Sequence, residues 1–190
     1  RILLTILGVA LLTALSFLLY APYRAAYSQA YSKLDPWTAT QTPMSSYLTH
    51  WGVFLFLIFS WLVWETRQWM AATPVSSLGK LKPFQILIEL ALAVFIVVLL
   101  YLAYRKVWIG WIALPLATWA GLLMLRPDQP DTKRLALFWV GTAMLITIVV
   151  ELFTVRGDIG RMNTIFKFYL QAWTLLAVSG GAAFAWVLAD

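Results

Sequence analysis

Between Gly160 and Trp173 the sequence GRMNTIFKFYLQAW sets Arg161, Asn163, Lys167 and Gln171 at the mouth and in the first turns of a strongly hydrophobic stretch. A lysine or arginine near the middle of a bilayer costs about 2.5 to 3.5 kcal/mol, less near an interface, so such groups face a polar cavity or a partner. On a helix beginning near Asn163, the residues Thr164, Lys167, Gln171 and Thr174 fall three and four apart and form one polar stripe. Ile165, Phe166, Tyr169, Leu170 and Trp173 form the opposite, aromatic edge. With Asn163 as N-cap, the first-turn amides beside Arg161 and Lys167 would favour an anion such as a phosphate. The alternative is that Lys167 snorkels to the interface and Arg161 anchors the helix end.

Other groups are placed to join them. Glu151, late in the preceding apolar stretch, could pair with Lys167 or Arg161. Asp158, in VRGDIGRMN, has three readings: general base, metal ligand, or cap of a glycine-flanked turn. His50 follows TPMSSYLT near the start of an apolar stretch, where an imidazole would bond a phosphate or a sugar hydroxyl, or serve the structure alone. The catalytic candidates are therefore Asp158 and Glu151, and the substrate-binding candidates Arg161, Asn163, Lys167, Gln171, His50 and Tyr169. Tyr20, Tyr23, Tyr27, Tyr31, Trp37 and Tyr47 read as an interfacial aromatic belt, with sugar stacking as the alternative.

The elements that must position these groups follow from composition. Hydrophobic residues make up 62% of the 190 and charged residues 12%, outside the range of a water-soluble domain and diagnostic of an integral membrane protein. There is no cysteine and one histidine, which excludes disulfides, thiolate metal sites and multi-histidine centres. No cofactor is identified, and a divalent metal has no support in the residues. The net charge of +6 is dispersed over loops and helix ends, which suits orientation at a membrane surface and leaves no nucleic-acid footprint.

About 20 apolar residues cross the hydrocarbon core. Six segments approach that length: Ile2 to Tyr20, Tyr47 to Trp64, Phe84 to Tyr104, Val107 to Leu125, Leu135 to Phe153 and Thr164 to Ala189. The expected fold is all-α, a polytopic transmembrane bundle of about six helices forming one domain over residues 1–190. The start at Arg1 without methionine and the close after an apolar run suggest a piece of a longer membrane protein. Pro115 should kink the fourth span. Ala177, Gly181 and Ala185 on the sixth make a small-residue stripe for a neighbouring helix. Glu89 is expected to pair with a helix beside its own.

ELFTVRGDIGRMNTIFKFYLQAW resembles the signature of the YYY family, large, poorly characterised polytopic membrane proteins of bacteria and archaea, and TPMSSYLTHWGVFLFL resembles that family's histidine-bearing span. DPWTAT at Asp35 shares three letters with the family's Asp-Pro-Trp stretch but lacks its tyrosine run, and is set aside as coincidence. The family is similar to membrane glycosyltransferases of the lipid-phosphate-sugar, GT-C-like type. The resemblance implies transfer of a sugar from a polyprenyl-phosphate donor at the extracytoplasmic face. The acidic base would lie on the remaining amino-terminal part of the same protein, and this piece would hold the donor phosphate. Rival readings are a transporter or flippase for a lipid-linked or anionic solute, and a non-catalytic membrane scaffold.

Span parity puts the loop Ala21 to Ser46, His50 and the Arg156 to Lys167 segment on one face. Lysine and arginine divide seven to seven between the faces, and seven to four when Arg156, Arg161 and Lys167 are set aside as functional. That bias makes the His50 face extracytoplasmic in a multi-pass cell-membrane protein. Single cysteines at Ser32 and Gly157 should react with an impermeant thiol reagent added outside intact cells, and one at Ser77 should not; labelling of Ser77 alone reverses the orientation.

Overall fold

The computed structural model describes residues 2–26 and 33–189, so the expectations resting on Arg1, Tyr27, Tyr31 and Ser32 lie outside the described residues. The chain divides into two compact units, Arg1–Lys33 and Leu34–Asp190. In the first, α1 (Ile2–Leu19) is followed by the short α2 (Ala21–Ala26). Arg24 folds back so that Nη2 donates to Phe17 O at 2.7 Å and the guanidinium covers the Phe17 ring at 4.7 Å.

The second unit is built from five long helices and one strand pair. α3 (Met44–Ala72) leads through a 3-10 segment, Val75–Phe84, into α4 (Gln85–Tyr104). α5 (Gly110–Met124), α6 (Asp131–Leu152) and α7 (Met162–Leu188) follow. α6 is the central helix, packed most extensively against α5 and α7, while α3 packs on α7 and α5. The cause is visible in its sequence. Ala136, Leu137, Val140, Ala143, Met144, Thr147, Ile148 and Glu151 recur at three- and four-residue steps, and all are buried. Small residues among them let neighbouring backbones approach. α4, by contrast, is apolar on every side and largely exposed.

The helices fall where the apolar stretches place them, but by length and composition not all six qualify as spans among the described residues. Four helices are long and apolar enough to cross a membrane: Met44–Ala72, Leu81–Tyr104, Asp131–Leu152 and Met162–Leu188. α1 is apolar over its 18 residues, and Gly110–Met124 is apolar but shorter. At 15 residues α5 is roughly 22 Å long, less than the ~30 Å hydrocarbon core. It is cut short at one end by the turn at Arg105–Lys106 and at the other by Pro127, which forces the residue before it out of helical geometry.

Two further expectations are corrected. Among the described residues Glu89 bonds to no neighbouring helix; it accepts a hydrogen bond from Gln85 Nε2 of its own helix at 2.7 Å. The Ala177, Gly181, Ala185 stripe does not carry the packing within this chain, since a Cβ on Gly181 would meet nothing within 4 Å. The packed face of α7 is rotated from it and consists of Ala172, Leu176, Ser179, Gly180 and Ala183. A Cβ on Gly180 would stand 3.6 Å from Leu57 Cδ1 and 3.8 Å from Phe54 Cδ1, leaving no room for a larger group. Gly180→Leu should therefore destabilise the detergent-solubilised protein by about 1 to 3 kcal/mol while Gly181→Leu leaves its melting temperature unchanged or raised. Equal melting curves for the two variants would disprove this packing.

Candidate functional site

The end of α4 shows why two basic residues stand where they do. Lys106 N donates to Ala103 O at 2.9 Å and Val107 N to Leu102 O at 2.8 Å, the paired bonds of a Schellman motif. The accompanying hydrophobic contact is met by Val107 and Leu102, both buried. The residue in the left-handed position of such a motif is usually glycine; here it is Lys106, with φ +59°. A side chain in that region is strained by about 1 to 2 kcal/mol. The turn thereby projects Lys106 outward beside Arg105, whose Nη2 donates to Trp37 O at 2.6 Å and Nη1 to the Tyr101 hydroxyl at 2.9 Å.

Residues 34–43 form a strap lying over the same end of the bundle. Its first part, β1 (Leu34–Pro36), pairs antiparallel with β2 (Phe153–Val155), Asp35 opposite Thr154. Arg156 clamps the pair through two hydrogen bonds to Asp35, at 3.0 and 2.8 Å. Trp37 N then donates to Leu152 O at 2.8 Å.

Beneath the strap lies a buried ion pair. Arg161 Nη1 stands 2.7 Å from Glu151 Oε1, and neither side chain is more than 9% exposed. Arg161 also donates to Val150 O at 2.9 Å and to Thr42 Oγ1 at 3.0 Å, and lies over the Trp37 ring at 5.2 Å. Glu151 in turn accepts hydrogen bonds from Thr42 N at 2.9 Å and Thr42 Oγ1 at 2.5 Å. The Gln41 side chain, turned nitrogen inward, donates to Glu151 Oε2 at 2.8 Å. The pair ties α6 and α7 to the strap, and its charges cancel.

Asp158 is occupied as fully. Its Oδ1 accepts from Asn163 N at 3.1 Å and Asn163 Nδ2 at 3.0 Å, and its Oδ2 from Thr164 N at 2.8 Å and Thr164 Oγ1 at 2.7 Å. Asn163 is thus not the N-cap of α7. The helix starts one residue earlier, at Met162, and first-turn amides expected to receive a phosphate are bound to the chain's own carboxylate. Partial burial is the largest single influence on Asp158 and pushes its pKa up, but the hydrogen bonds from Thr164 and Asn163 together hold it below the ordinary aspartate value. A carboxylate so held is a poor general base.

The remaining candidates separate. Of the polar stripe, Lys167 and Gln171 are exposed on the side of α7 away from its buried face, whereas Thr164 is buried and bonded to Asp158. His50 and Tyr169 do meet, with ring centroids 5.8 Å apart, in a largely apolar groove of about 400 Å³ that also includes Met162, Phe166 and Trp173. Among the described residues no three acidic or histidine side chains converge as a metal site would require.

A cleft the candidates did not anticipate opens at the strap. It has a volume of about 650 Å³ and is bounded by Thr38 to Pro43 on one side and Tyr104, Arg105, Lys106 and Trp108 on the other. Its wall supplies three threonines, an amide and two cations. The signal for it was present in the sequence: the hydroxyl-rich TATQT run directly follows the Asp-Pro-Trp stretch set aside as coincidence. A second polar cluster, also unforeseen, sits at the opposite end of the bundle. There buried Glu65 accepts from Lys133 Nζ at 2.5 Å and Trp61 Nε1 at 3.3 Å, and Lys133 lies 4.6 Å from the Trp64 ring centroid.

Residues 1–176 match the family model described as uncharacterized membrane protein (DUF2298), and the chain belongs to that family. No curated protein and no solved structure matches it. The resemblance to a family of polytopic membrane proteins thus holds at that level, and the protein is a membrane protein by family and by its helices.

Removing one partner of a buried pair leaves an uncompensated charge, at a cost of about 3 to 5 kcal/mol. Glu151→Met and Arg161→Met should each lower stability in a detergent unfolding titration by that order, and the double variant should lose less than the sum. Strict additivity would mean that the two side chains do not interact. Asp158→Asn should cost about 1 kcal/mol as a lost cap. With its pKa depressed in the fold, Asp158 contributes that stability above the ordinary aspartate range and loses it as pH falls through its folded value. A pH titration of melting temperature on parent and Asp158→Asn reads this directly, the two converging only in acid.

Proposed function

We propose that this chain forms the donor-phosphate side of a membrane glycosyltransferase that takes a sugar from a polyprenyl-phosphate carrier at the extracytoplasmic face. The observation that carries the reading is Lys106, held in a conformation that favours glycine while it lines a hydroxyl-bearing cleft beside Arg105. Backbone strain of that kind is held by its surroundings and clusters at functional sites. Among the described residues Lys106 has no acidic partner.

In this reading the phosphate sits between Lys106 and the unused N–H groups of Arg105, which carries five donors and spends two on Trp37 and Tyr101. Thr38, Thr40 and Gln41 orient donor oxygens. As the glycosidic bond breaks, negative charge grows on the leaving phosphate, and fixed cations there lower the barrier without reorganising. The Glu151–Arg161 pair acts behind the cleft as a positioning element for Thr42 and the strap. Asp158 and Glu151 are both committed to donors, so the base that activates the acceptor comes from another segment of the same protein.

Lys106→Gly tests this in one variant, because glycine relieves the left-handed strain and removes the ammonium. In full-length protein it should preserve or raise the melting temperature while weakening polyprenyl phosphate binding by about tenfold, roughly 1.4 kcal/mol. Lys167→Met should leave binding unchanged. Parent-like affinity in Lys106→Gly, or a loss in Lys167→Met alone, would return the phosphate to α7.

A further inference from the structure

We propose that the hydrocarbon chain of the lipid phosphate runs down a groove between α3 and α5, making the cleft and groove one amphiphilic site for a single-chain lipid; this rests on the phosphate placement above. The groove has a volume of about 420 Å³ and an almost wholly apolar wall that includes Leu48, Phe56, Phe59, Trp111, Leu116 and Trp119. Its upper end adjoins the cleft through the chain itself. Pro43, on the cleft wall, is the residue before α3 and stands five positions from Leu48; Trp108, also on the cleft wall, stands three from Trp111. At 1.5 Å per residue these steps are roughly 4 to 8 Å.

The groove also has a floor. Phe59 and Trp119 meet edge to face at 5.8 Å, and Trp119 is fixed there by donating Nε1 to Thr66 Oγ1 at 2.9 Å. From Leu48 to Phe59 the track is about 17 Å long, roughly half the hydrocarbon core. Phe56 and Trp111 remain 71% and 48% exposed, so a chain could enter sideways from the bilayer. The volume and the placement between two helices suit one chain. A two-chain phospholipid would have to leave its second chain outside. Two cations at the upper end match a phosphate monoester, and an uncharged alcohol would forgo them.

The test uses full-length protein in nanodiscs and four probes: a long-chain polyprenyl phosphate, its two-unit homologue, the long-chain polyprenol and phosphatidic acid. The long-chain phosphate should bind at least tenfold tighter than the short one and than the polyprenol, and phosphatidic acid should compete poorly. Leu48→Trp fills the upper groove at a position 44% exposed, where a larger side chain does not disturb the core. It should abolish the chain-length preference while leaving the short phosphate's affinity unchanged. If both chain lengths bind alike in the parent, the groove is not the track, although the phosphate site stands. Binding of neither phosphate removes the phosphate site itself. Equal competition by phosphatidic acid overturns the single-chain assignment, and an intact chain-length preference in Leu48→Trp, with the variant folded, overturns the path.

Discussion

The buried pair of Glu151 and Arg161 is the constraint on which this end of the molecule depends. A carboxylate and a guanidinium withdrawn from water are each costly, and their attraction offsets that cost only when the remaining donors and acceptors are also met. The chain meets them with the strap. Thr42 and Gln41 complete the shell of Glu151, while Thr42, Val150 O and the Trp37 ring complete that of Arg161. A polar segment that apolar packing alone would not hold is thereby fixed across the ends of α6 and α7.

Once the strap is fixed, the cleft follows. Trp37 offers its carbonyl to Arg105, which sets the end of α4 against the strap and leaves a polar gap between them. The strain at Lys106 is tolerable because the Schellman bonds and the buried Val107–Leu102 contact over-determine the turn. Stability at this face is thus concentrated in groups that are already paired, and the cations bordering the cleft keep donors to spare.

Much of the fold was legible in the sequence because apolar runs of helical length are a strong signal. The positions of the helices followed from it; of the six expected spans, four among the described residues are long and apolar enough by length and composition, α5 being apolar yet short. The site was legible in part. That Glu151 would pair with Lys167 or Arg161 could be anticipated from opposite charges on one face, while the choice of Arg161 could not. What could not be read was which charges would cancel internally. Asp158 reaches the first turn of α7 only because Gly157 and Gly160 adopt positive φ, 86° and 64°, and that local geometry turned an expected anion site into a satisfied cap. Helical periodicity placed Lys167 and Gln171 on one stripe, but the azimuth of that stripe relative to α3 and α6 depends on packing around Gly180. The strap's role depended on contacts more than a hundred residues apart in sequence, which no local pattern encodes.

A density map of the full-length protein with polyprenyl phosphate bound would locate the phosphate. Phosphate density is expected within hydrogen-bonding reach of Lys106 Nζ and Arg105, with Glu151 and Arg161 still paired beneath the strap. Density at the start of α7 beside Arg161 and Lys167, with the Glu151 pair opened, would contradict that placement.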